Sequence, residues 1–145
     1  MLKTLTLLVA ITFLSCNFKE KELVWFCKGH YCFASRLLAA SGDSKTTDVA
    51  LYIKSSSGKA LNLTDSIEGL NHNEFIFNFS QHVFLIHGND TIPSSFSHFE
   101  QSGNIKFEKI QFVSFDTVIT TGKKDSLRLL FDDQFLTNQN ILLNL

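Results

Sequence analysis

An all-β fold, an antiparallel β-sandwich of Ig-like or jelly-roll-like kind, is what this chain predicts, on three observations. Phenylalanine is over-used, with 15 copies against one Trp, two Tyr and one Pro, and Phe, Val, Ile and Thr suit a pleated, half-buried surface. The apolar residues fall in short runs separated by polar turns at regular spacing. Several runs alternate with period two, which puts Phe75, Phe77 and Phe79 on one strand face and Leu127, Leu129 and Phe131 on another.

The strands expected in order are Leu23–Cys27, Tyr31–Ala39, Val49–Lys54, Ala60–Leu63, Phe75–Phe79, Val83–His87, Thr91–Phe99, Ile105–Phe115, Ser126–Phe131 and Ile141–Leu145. Gly42–Lys45, Ser55–Gly58, Asn71–Asn73, Gly88–Asp90, Ser102–Asn104 and Gly122–Lys124 divide them. Gly supplies positive φ in such turns, and Asn and Asp satisfy their own turn backbone. Residues 36–41 read as one short helix instead, because Leu37, Leu38, Ala39 and Ala40 are good helix formers. Pro93 cannot donate to a ladder, so its strand is expected at a sheet edge or at a bulge. The closing run Ile141-Leu142-Leu143-Asn144-Leu145 reads as a docked terminal strand.

Ahead of these elements, Lys3 precedes the apolar run Leu5–Leu14, and Ser15-Cys16 follows it. That order of basic, apolar and small residues is the layout of a secretory signal peptide, and the run is too short to span a bilayer. Leu14-Ser15-Cys16 resembles the lipobox of bacterial lipoproteins, in the Bacteroidota-type version with serine before the cysteine. The resemblance covers residues 1–16 and implies cleavage before Cys16, lipidation of Cys16 and a membrane partner through that N-terminal anchor. The chain then divides into a signal peptide at 1–15, a lipidated tether at 16–22 and one domain at 23–145. Surface-exported lipoproteins of this type carry an acidic cluster after the cysteine. Lys19-Glu20-Lys21-Glu22 matches it in part, so an outer-membrane location follows without a choice of leaflet.

Cleavage leaves 130 residues, enough for one domain to bury a core that needs no metal or disulfide to fold. The mature chain holds 12 Lys and Arg against 14 Asp and Glu, interspersed along its length. A nucleic-acid partner is not expected, since phosphate binding needs clustered positive charge.

Cys27 and Cys32 flank Lys28-Gly29-His30-Tyr31, and a four-residue hairpin loop would set them opposite each other. A structural disulfide is the expected state, with free thiols and a redox or metal role as the alternatives. His72, His82, His87 and His98, with Glu100, have no helical zinc-site spacing and are read as scattered surface residues. A two-residue turn at Asn89-Asp90 would face His82 and His98 to opposite sides of one hairpin, whereas a Gly88–Asp90 loop would give them one face. Asp132 and Asp133, adjacent on a strand, would point to opposite faces and are read as marking a turn. No nucleophile elbow, phosphate loop or other catalytic motif is present, so no catalytic residue, metal or cofactor is assigned.

Asp65-Ser66-Ile67, Asp90-Thr91-Ile92, Asp116-Thr117-Val118 and Asp125-Ser126-Leu127 share one pattern: Asp, a hydroxyl residue, an aliphatic. It resembles the O-glycan acceptor site of secreted Bacteroidota-type proteins, which implies modification at Ser66, Thr91, Thr117 and Ser126. Turn chemistry explains the same pattern, with Asp closing a turn before the next strand. Together these features point to a non-enzymatic, lipid-anchored binding or accessory module with an envelope protein partner. The alternatives are an immunity-type or inhibitor lipoprotein and a small metal-dependent hydrolase.

Overall fold

The computed structural model describes residues 22–38, 45–58, 72–100, 108–119 and 126–145. Nine strands form two antiparallel sheets in these segments: β1 Phe26–Lys28, β2 Tyr31–Leu37, β3 Thr47–Ser55, β4 Val83–His87, β5 Asp90–Pro93, β6 Phe96–Glu100, β7 Glu108–Phe115, β8 Leu127–Asp133 and β9 Gln139–Asn144. Sheet I has the order β1-β2-β3-β7-β6, and sheet II has β5-β4-β8-β9. The expected antiparallel sandwich is the fold.

The two sheets meet over a core of alternate residues. Val49, Leu51 and Ile53 of β3, Val113 and Phe115 of β7, and Leu127, Leu129 and Phe131 of β8 are wholly or almost wholly buried. Phe131 sits at the middle of this layer, with its ring centroid 6.1 Å from Phe33 of sheet I and 4.9 Å from Phe79. Offset and edge-on aromatic packing of this kind adds to area burial.

The period-two reading of Phe75, Phe77 and Phe79 as a strand is overturned. Helix α1 spans His72–Phe77, and a 3-10 turn follows at Phe79–His82. Phe75 and Phe79, four residues apart, are fully buried and meet edge-on at 5.3 Å, whereas Phe77 is 74% exposed. A strand would have kept all three together, but helical geometry buries i and i+4 and turns i+2 outward. The helix expected at 36–41 is also corrected where it is described. Arg36 and Leu37 continue β2, paired with Ala50 and Val49, because the ladder with β3 outweighs local helix preference. Leu38 N–H donates to Asp48 O beyond the strand's end, and residues 39–41 and the strand expected at Ala60–Leu63 lie outside the described residues.

The run Thr91–Phe99 is not one strand but two, and they belong to different sheets. The chain leaves β5 at Pro93, and Ser94 N–H donates to Val83 O while Ser95 N–H donates to Ser114 O. Two consecutive amides thus clip sheet II and then sheet I at one side of the sandwich. β5 is the outer strand of sheet II, where Pro93 removes no needed donor.

Candidate functional site

On the opposite side of the sandwich two tight turns face each other. The first joins β1 to β2. Lys28 pairs with Tyr31 and Cys27 with Cys32, so the loop is only Gly29-His30. Gly29 takes φ of +57°, which a primed two-residue hairpin turn requires and a side chain would resist. Cys27 and Cys32 are joined by a disulfide, which pins the three-residue β1 to β2. Ser56 N–H donates to His30 O, fastening the turn to the end of β3.

The second turn joins β8 to β9 and is built on Asp133, whose side chain has no solvent exposure. Its Oδ1 accepts the N–H groups of Phe135 at 3.1 Å and Leu136 at 2.9 Å. Its Oδ2 accepts Thr137 N–H at 2.7 Å and Thr137 Oγ1–H at 2.6 Å. Asn138 completes the loop at φ of +53°, a left-handed position that Asn tolerates better than most residues. Asp132 and Asp133 therefore end β8 on opposite faces, and only Asp133 is inside.

Between the turns lies an open cleft of about 370 Å³, lined by Lys28, Gly29, His30, Tyr31, Leu136, Thr137 and Gln139. Its polar groups are an ammonium, an imidazole, a phenol, a hydroxyl and an amide. This set can donate and accept hydrogen bonds, and no carboxylate is among the side chains that line it.

The remaining sequence-selected residues are dispersed. His82 lies in the 3-10 turn, its Nδ1 3.6 Å from Asp132 Oδ2 and its ring edge-on to Phe135 at 5.0 Å. His87 closes β4 opposite Asp90, and His98 is in β6 of the other sheet. Neither hairpin register considered for His82 and His98 is present. The loop is Gly88-Asn89 with Gly88 at φ of +63°, and the chain changes sheets before it reaches His98. Among the described residues no three His, Cys, Asp or Glu side chains group closely enough to hold a metal ion.

Of the Asp-hydroxyl-aliphatic positions, Thr91 is exposed on β5 and Ser126 is exposed at the entry to β8. Thr117 is half-buried, and its carbonyl accepts Thr47 Oγ1–H at 2.7 Å. Ser66 and Cys16 lie outside the described residues. The sequence reading placed Asp133 at a turn but missed its burial, and it missed the buried Gln111 altogether. Asp133 had a legible signal, since an Asp followed by Thr137 and Asn138 is turn chemistry. Gln111 had none: it faces the core between Leu51 and Phe99, and neither Oε1 nor Nε2 has a partner.

Compared with protein-family models, curated proteins and solved structures, the chain matches none.

Proposed function

We propose that this chain is a lipid-anchored protein of a bacterial outer membrane whose β-sandwich works as a non-enzymatic binding module. The observation that carries the reading is the order of residues 1–16, a basic residue, an apolar run and Leu14-Ser15-Cys16. The open cleft supports the second half, because its side chains suit recognition rather than bond breaking. A seven-residue tether at 16–22 would hold the domain within about 25 Å of the bilayer, at the reach of an extended chain.

The anchor is tested by the mass of the mature protein from its native host and by detergent phase partition. Cleavage before Cys16 with added acyl mass, and loss of partition into detergent in Cys16→Ala, are the expected results. A mature chain starting elsewhere, or one that stays in the aqueous phase, would sink the reading. The same mass measurement tests glycosylation. Glycan mass that disappears in Thr91→Ala or Ser126→Ala supports it, and an unmodified mass dismisses it.

A further inference from the structure

The two sheets of the sandwich are unequal, five strands over four. β2 lies over β9, the other outer strand of sheet II, where Ser35 Oγ–H donates to Asn144 O at 3.2 Å. β1 lies one strand further out than β2, and among the described residues no strand of sheet II lies beneath it. Phe26 pairs with the core-facing Phe33, so Phe26 points towards this level, and Val24 lies two residues before it. Both are exposed, at 44% and 83%.

The outer edge of β9 borders the same space. Leu145 N–H donates to Leu127 O at 3.1 Å. Because antiparallel pairs alternate, residues 143 and 141 also turn their backbone groups towards β8. Asn140, Leu142 and Asn144 then turn theirs away from it. Among the described residues no strand pairs with that side. The strand Gln139–Asn144 has no charged residue and no proline, the usual devices that protect an edge. Leu142 is itself 45% exposed on the outer face, beside Leu130 and, across it, Phe84.

We propose that this space accepts one extended strand from a partner protein, added to β9 beneath β1. The added strand would take the hydrogen bonds of Leu142 and Asn140. Its inward side chains would cover Phe26, and its outward ones would extend the Leu142–Leu130–Phe84 row. The ligand class is therefore an extended, uncharged segment with alternating apolar residues. A second copy pairing through its own β9 does not fit, because that β9 carries its own β2 above it, at the level β1 already fills. The occupant must be a lone strand with nothing stacked on it. This inference rests on the binding-module reading and gives it a ligand. It is separable from the anchor, because acylation of Cys16 is measured without reference to the groove.

The test uses the whole chain in detergent micelles, with amide exchange followed by NMR. The probe is a capped octapeptide alternating Val and Thr. Alone, the chain should exchange Leu142 N–H far faster than Ile141 and Leu143 N–H. With the peptide at millimolar concentration, Leu142 N–H should become protected. The same peptide N-methylated at alternate residues should give no protection, and Phe26→Asp should weaken binding at least about tenfold through lost apolar burial. Slow exchange at Leu142 in the chain alone would mean the edge is already covered and would overturn the proposal. So would failure of the Val-Thr peptide to protect it, or protection that arises from a concentration-dependent dimer.

Discussion

The carboxylate of Asp133 accepts three backbone N–H groups and one hydroxyl while wholly out of solvent. Removing it strands those donors inside the protein, where each unpaired group costs roughly 1–3 kcal/mol. Asp133→Ala should therefore lower unfolding free energy by about 3 kcal/mol or more, read as a fall in the urea midpoint. Gln111 presents the opposite case. Both of its side-chain polar atoms are buried without partners between Leu51 and Phe99, so Gln111→Leu should raise stability by about 1–3 kcal/mol. A loss of stability would mean that Gln111 has a partner worth keeping. The two residues also differ in how visible they were. Asp133 sits in turn chemistry that a reader can parse. Gln111 sits in Ile110-Gln111-Phe112-Val113, where both alternating faces carry apolar residues. Only the register with β3 and β6 decides which face turns inward.

Element by element, the strands with clean alternation were readable. Val83–His87 coincides with β4, and the β2, β3 and β8 runs differ at their ends only. The errors have a common cause: a short run of alternating Phe fits period two and period 3.6 almost equally. Tertiary packing chose the helix, because Phe75 and Phe79 fill the end of the sandwich against Phe135. The split at Pro93 was half legible, since proline signalled an interruption but not a change of sheet. β1 is the least supported element, three residues long and exposed throughout, and the Cys27–Cys32 bond holds it. Reduction should cost about 2 kcal/mol, the chain-entropy value for so small a loop. The sole tryptophan reports it: Trp25 adjoins β1 with its ring centroid 3.6 Å from Lys54 Nζ, so reduction should shift its emission before global unfolding. Unchanged emission and an unchanged urea midpoint would show that β1 holds without the bond.

At the scale of the whole molecule, one aromatic layer joins the two sheets to the helical segment. Phe131 packs against Phe33 from the facing sheet, Phe79 from the 3-10 turn and Phe135 from the β8–β9 loop. Phe131→Ala should cost about 3–5 kcal/mol. Near-UV and far-UV transitions should fall together, because neither sheet has a core of its own. Two separated transitions would contradict a single cooperative unit. The candidate site was far less legible than this core. Cys27 and Cys32 marked one of its walls, but the cleft depends on how the β1–β2 and β8–β9 turns approach across the sandwich, a relation that no local pattern encodes. The crossover at Ser94 and Ser95 makes that approach lopsided. With one long side stitched by consecutive amides and the other bridged, among the described residues, by Ser35 on Asn144, the layers resemble a bound volume. Thermal breathing is then expected to part the leaves first along the margin away from the spine, where amide exchange should run faster than at Ser94 and Ser95.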